Sequence, residues 1–188
     1  MLTHKGSVAL TTPRLTLRPL TPDDSEDMFN NWANDERVTR FLTWLPHSSP
    51  EKTKELLTLW YSNYSNPDYY NWAIVYEGHP IGNISVVRIS ERDEYAELGY
   101  CIGHAYWGKG IMTEAASAVT DYLFKELGMN KVSISHAVKN PASGEVAKKC
   151  GMKFEGTSRQ DFKSAAGEFL DISHYSILRS EWEEKYNK

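Results

Sequence analysis

Polar and apolar residues alternate in "RLTLRPL" (Arg14 to Leu20), the pattern of a half-buried strand. The next stretch, "TPDDSEDMFNNWAN", opens with Thr21 as a cap, Pro22 at the first helical position and acids in the first turn, which predicts a helix. A second helix start is "SPEKTKELLTLWY", where Ser49 and Pro50 precede Leu56, Leu57 and Trp60. The pattern then turns extended: "NWAIVY" and "PIGNISVVRIS" flank the turn-like "EGH" as an antiparallel hairpin, and "EYAELGYCI" adds a third strand. From Ile111, apolar residues at Ala115, Ala118, Val119, Tyr122 and Leu127 follow helical spacing until Gly128 offers a stop. "KVSISHAV" predicts a strand and "NPASGEVAKKCG" a short helix capped by Asn140 with Pro141 behind it. Two strands close the pattern, roughly Met152 to Gln160 and Phe169 to Leu178. The order is strand, two helices, three strands, helix, strand, helix, two strands, which predicts a mixed α/β sheet.

The chain has 188 residues, enough to bury a real core without a metal or disulfide staple, and its length fits one domain. Apolar residues make up 40% and charged residues 24%, a globular composition. A formal net charge of -4 argues against a large nucleic-acid footprint. Cys101 and Cys150 have neither the number nor the spacing of a disulfide framework or zinc site, and no long apolar run or signal-like start is present. The expectation is a cytoplasmic protein with no membrane partner.

One stretch carries more than structure. In "GHAYWGKGIMTEA", Gly103, Gly108 and Lys109 match the opening of the nucleotide-binding pattern G-x-x-x-x-G-K-[ST], but Gly110 stands where the magnesium-binding hydroxyl belongs. No predicted strand ends in an evident partner Asp, and the motif follows three antiparallel-looking strands instead of opening a βαβ unit. These points argue against an ATP site. A strand running into a glycine-spaced turn at a helix start still suits anion binding, because several backbone N–H groups can point at one phosphate.

"ELGYCIGHAYWGKGIMTEA" and, one helix and one strand later, "NPASGEVAKKCGMKFEGT" together resemble the two central motifs of the GNAT acyltransferase superfamily. The resemblance is closest to the ribosomal-protein N-terminal (Rim-type) acetyltransferase branch, through "WGKGIMTEA", the N-x-x-S from Asn140 to Ser143, and Gly151; with "RLTLRPLTPDD" it covers almost the whole chain. It implies an α/β (α+β) fold: one domain over 1–188, with a mixed, mostly antiparallel sheet, splayed central strands and flanking helices. It also implies acetyl-CoA as co-substrate and no metal. By the same resemblance, Tyr100, Cys101 and Ile102 would pair with the pantetheine amides. Trp107, Gly108, Lys109, Gly110, Ile111, Met112 and Thr113 would offer backbone N–H groups to the pyrophosphate, Asn140 would bond near the pantetheine, and Lys149 would assist with the phosphates. The family's loop often begins with Gln or Arg where this chain has Ala105, so a side-chain phosphate contact is not expected there.

Acetyl transfer from a thioester to an amine needs a neutral amine, a polarised carbonyl and a proton for the leaving thiolate. Glu97 is the first candidate base, by its resemblance to family members with a glutamate beside the cofactor; the alternative is a solvent-facing strand-end carboxylate. Asp161 is the second, since Rim-type relatives can place their base after the last helix. Ser143 is the candidate acid, or an ordinary first-turn serine. His4, His47, His79, His104, His136 and His174 show no metal-ligand spacing. Cys101 on an apolar strand fits a small buried filler better than a nucleophile, and the aromatic run "WYSNYSNPDYYNW" fits packing better than an acceptor pocket. The expected acceptor is the N-terminal amine of a ribosomal or other protein, or a small amine, taken by a monomer or homodimer. The rival is a non-catalytic acyl-CoA sensor on the same fold.

Overall fold

A computed structural model describes residues 2–186; Met1, Asn187 and Lys188, the ends of the expected 1–188 domain, lie outside the described residues. β1 (Leu10–Thr11) and β2 (Leu15–Arg18) form a small hairpin. A 3₁₀ turn (Pro22–Asp24), α1 (Ser25–Met28), a π turn (Phe29–Ala33) and α2 (Glu36–Thr39) follow, then α3 (Pro50–Asn63). The antiparallel trio is β3 (Asn71–Tyr76), β4 (His79–Ser90) and β5 (Tyr95–Ile102). After it come α4 (Ile111–Tyr122), running into a π turn (Leu123–Leu127), then β6 (Lys131–Ala137), α5 (Pro141–Lys149), β7 (Lys153–Lys163), β8 (Phe169–Leu178) and α6 (Arg179–Tyr186).

The eight strands make one sheet in the order β1-β2-β3-β4-β5-β6-β8-β7. Every neighbouring pair is antiparallel except β5 and β6. That parallel pair is short: Tyr95 to Leu98 pair with Lys131 to Ile134, and there the ladder ends. Beyond the split, β5 continues against β4 as far as Ile102, while β6 continues against β8 as far as Ala137. The two central strands therefore diverge toward their carboxyl ends, and a crevice opens where open α/β sheets place their ligands.

Apolar clusters cover both faces of the sheet. On one face α4 packs Ile111, Ala115, Ala116 and Val119 against Leu17, Ile74, Leu98 and Val132. On the other, Met28, Trp32, Val38 and Leu57 from the helices before β3 pack with Leu20 and Ala73. The aromatic run is structural: Tyr70 and Trp72 are buried beside Tyr122, and the Tyr64 hydroxyl accepts from Leu20 N (3.0 Å) while donating to Asn71 O (2.8 Å).

Beside the short β1 and α2, which the pattern does not predict, three further elements differ from it. The first helix is broken into 3₁₀, α and π turns; at its start Asp24 reaches back to Thr21 N (2.8 Å) and to Arg18 through two bonds of 2.7 and 2.8 Å. β7 extends three residues past Gln160, whose φ of 51° forms a bulge after which pairing resumes at Phe162 and Leu170. α6 was not predicted: in "RSEWEEKY" a single apolar anchor, Trp182, holds it by packing on Phe124 (5.3 Å) and donating to Asp121 (2.7 Å).

Candidate active site

β5 runs past the split into the glycine loop. Trp107 Nε1 donates back to Ile102 O (2.9 Å), which closes the turn, and both Gly108 and Gly110 adopt φ of 73°. Gly110 is the cap residue of α4 and has no side chain to offer. The first-turn amides of Ile111, Met112 and Thr113 have no intrahelical acceptor by helix geometry, so a bare glycine cap leaves them to an external anion. The residue that breaks the ATP pattern thus supplies the left-handed turn that opens the cradle. Lys109 lies with its ammonium 5.4 Å from the Tyr106 ring centroid.

Arg14, from the β1–β2 turn, holds this loop from outside. Its Nη1 donates to Lys109 O (3.0 Å) and its Nε to Glu114 Oε2 (2.6 Å), while Thr12 and the Arg14 amide satisfy Glu114 Oε1. Desolvation alone would raise the Glu114 carboxyl, but Thr12 and Arg14 outweigh it and hold it below the ordinary glutamate value. The sequence pattern does not single out Arg14, because its partners lie about a hundred residues away.

α5 forms the other side of the crevice. Asn140 takes the cap position of α5 without its side chain making a capping bond. At the far end of α5, Cys150 Sγ approaches Thr113 O (3.7 Å), and the neighbouring Lys149 is exposed. Between these ends the Tyr100 hydroxyl, on β5 just past the split, reaches Ser143 Oγ (2.8 Å) and Ser143 O (3.2 Å). Cys101 packs against the second apolar cluster and donates to Asn83 Oδ1 (3.0 Å); burial pushes its thiol up to about 12, which keeps it protonated and unsuited to nucleophilic work.

On the opposite side of β5 lies a cavity of about 300 Å³ lined by Phe41, Arg88, Glu97, Ser135, Asp161 and His174, among others. Glu97 is no strand-end carboxylate. It sits in the last stretch of the β5–β6 ladder, opposite Arg88 and Ser133, half-buried, and its Oε2 accepts from the Tyr95 hydroxyl (3.2 Å). Asp161 comes from the β7 bulge, 3.8 Å from His174 Nε2. His174 is itself clamped by two serines, Ser135 at Nδ1 and Ser158 at Nε2, both 3.0 Å. The two candidate bases, 64 positions apart in the chain, thus face one cavity. His174 gave no signal in the sequence, because its role depends on strand register alone. Among the described residues no three His, Cys, Asp or Glu side chains converge as a metal site, and no helix is long and apolar enough to cross a membrane.

Residues 14–153 match the family model for an acetyltransferase (GNAT) domain. The chain is 31% identical over 172 residues to "Putative ribosomal N-acetyltransferase YdaF" of Bacillus subtilis, covering 90% of this chain and 93% of that protein. It is 25% identical to the spermidine N(1)-acetyltransferase of Vibrio cholerae, covering 90% of this chain and 95% of that one. A GNAT-family acetyltransferase structure from Bacillus anthracis superposes with a TM-score of 0.80 at 23% identity over 92% of this chain and 99% of its own, a likeness of fold.

Proposed function

The chain belongs to the GNAT acetyltransferase family, and from that premise we propose that it moves an acetyl group from acetyl-CoA directly to a primary amine, within one ternary complex. The observation that carries this reading is the split between β5 and β6, which joins a glycine cradle on one side of the sheet to a carboxylate-lined cavity on the other. Bound acetyl-CoA supplies the activated acyl group as a thioester. The loop amides from Trp107 to Thr113 hold its phosphates, with Lys149 nearby; the free β5 edge from Tyr100 to Ile102 and the Asn140 carboxamide hold its pantetheine arm.

In the cavity Glu97 takes the proton of the incoming ammonium, directly or through one water, and so delivers a neutral nucleophile to the crevice. Asp161, beside His174, is the second carboxylate placed to do this. Ser143 directs its hydroxyl at the leaving sulfur. The acceptor we propose is the N-terminal amine of a ribosomal or other protein. The cavity wall supports it, because Phe41 and Phe162, packed with Ala137, Leu170 and Ile172, set an apolar surface beside the two carboxylates. A small amine of the spermidine kind is the second reading, favoured by the same pair of carboxylates. One domain over 1–188, working in the cytoplasm as a monomer or homodimer, completes the proposal.

An acceptor screen with acetyl-CoA tests it, comparing N-terminal peptides of ribosomal proteins with polyamines and following free thiol release. Turnover with peptides alone supports the first acceptor and turnover with polyamines alone the second. Binding of acetyl-CoA without any turnover points to the non-catalytic sensor. Thermal stabilisation by Mg-ATP but not by acetyl-CoA overturns the reading of the loop.

A further inference from the structure

Tyr100 and Ser143 meet across the opening between β5 and α5. The tyrosine hydroxyl is 2.8 Å from Ser143 Oγ and 3.2 Å from the Ser143 carbonyl, and Ser143 is its only hydrogen-bond partner among the described residues. Burying a phenol hydroxyl costs free energy unless its bond is made, and the ring packs against the main apolar cluster, where a phenylalanine would pack as well. The hydroxyl therefore has work that the ring does not.

The phenol has one hydrogen for two contacts: the carbonyl can only accept it, while at Oγ either hydroxyl can be the donor. The shorter of its two contacts is the one to Oγ. A serine hydroxyl carries one hydrogen and two lone pairs. The Ser143 hydroxyl has Tyr100 as its one side-chain contact among the described residues, and where the phenol donates to Oγ the serine hydrogen is free to turn into the crevice. Desolvation holds the phenol well above the ordinary tyrosine range, with the Ser143 bond opposing it, so Tyr100 stays a donor at neutral pH.

We propose that Tyr100 is a positioning residue that donates to Ser143 Oγ and so aims the serine hydrogen at the leaving sulfur of the acyl-CoA thioester. The inference rests on the acetyl-transfer reading above. As the amine lone pair forms the N–C bond, the C–S bond breaks and its electron pair moves to sulfur, where the oriented hydroxyl stabilises the thiolate by a hydrogen bond. Glu97 takes the first proton from the ammonium and passes it to solvent, the nitrogen loses its second proton to solvent once the N–C bond has formed, and the thiolate takes one proton from solvent on release, so one proton is released net. Neither hydroxyl changes its protonation state over the cycle.

The test compares the binding of CoA with that of its desulfo analogue by calorimetry, across pH, for the unsubstituted protein, Tyr100→Phe, Ser143→Ala and the double variant. The expected result is a preference for CoA that grows as the thiol ionises, reaching about tenfold, the worth of one hydrogen bond to a charged group. Either single variant loses this preference and the double variant loses no more, while affinity for the desulfo analogue stays the same. In turnover, Tyr100→Phe lowers kcat without raising KM for acetyl-CoA, and the loss shrinks with acetyl thioesters of more acidic thiols. A Tyr100→Phe protein that melts normally and keeps the full preference overturns the inference, as does additivity in the double variant. Should Tyr100→Phe not fold, loss of the preference in Ser143→Ala alone, with no rescue by Ser143→Thr, also overturns it. Failure of the unsubstituted protein to bind either compound is a separate result, and it overturns the acetyl-transfer reading as well.

Discussion

Arg14 Nη1 donates to the carbonyl of Lys109 at 3.0 Å, across 95 positions of chain, and its Nε grips Glu114 in the first turn of α4. The guanidinium thereby ties the glycine loop to the head of α4. Arg14→Ala is expected to weaken acetyl-CoA binding by about tenfold, the worth of roughly one charge-assisted bond, while lowering stability little because the side chain is partly exposed. Arg14→Lys restores the charge without the two-pronged hold and is expected to recover only part of the affinity. Calorimetric titration with acetyl-CoA, beside a urea melt, checks both.

Gly110→Ala tests the cradle itself. A Cβ at this position would meet only Arg14 Nη2, at 3.7 Å, so there is room for the methyl group. The cost is conformational: a φ of 73° is strained for alanine by about 1–2 kcal/mol. We expect a stability loss of that size in urea denaturation, with a larger proportional loss of acetyl-CoA affinity. A variant that loses stability but binds acetyl-CoA as before would show that the loop is not the phosphate site.

Glu97→Gln is expected to cut turnover by about a hundredfold or more near neutral pH, with acetyl-CoA affinity unchanged. The defect should narrow as pH approaches the pKa of the acceptor amine, where the acceptor arrives already neutral. Asp161→Asn is expected to have the smaller effect. Steady-state rates across pH for both variants decide between the carboxylates: normal turnover in Glu97→Gln with collapse in Asp161→Asn would make Asp161 the base.

Asp24 and Arg18 anchor the segment that leads into the acceptor side. Burial would raise the Asp24 carboxyl, but the Arg18 guanidinium and the Thr21 amide outweigh it and hold it below the ordinary value. A carboxyl lowered on folding contributes stability in full above its unfolded value of about 3.9 and loses it as pH falls through the lower folded value. Asp24→Asn is therefore expected to cost about 2 kcal/mol at neutral pH and to flatten the acid limb of stability against pH. Urea melts between neutral and acid pH measure both effects.

Several site features were legible in the sequence for a shared reason: each is written in neighbouring residues. Gly108 and Gly110 announce a turn through left-handed backbone that other residues adopt only under strain, and Asn140 with Pro141 announces a helix start. The two motifs in their order carry the family. Ser49 caps α3 as predicted, accepting from Lys52 N. α6 escaped because one tryptophan makes no periodicity, and the π turn at Phe29–Ala33 escaped because no local residue signal marks it.

The local pattern determined most of the order of strands and helices and the glycine loop at the head of α4, and the resemblance of its two motifs gave the acetyltransferase class. Only the tertiary structure decided where β5 and β6 part, that Arg14 braces the loop, that Tyr100 meets Ser143, and that Glu97, Asp161 and His174 share one cavity. Periodicity, caps and turns are set by residues a few positions apart. A split ladder or a shared cavity is set by which distant strands pair and in what register, and that is a property of the whole sheet.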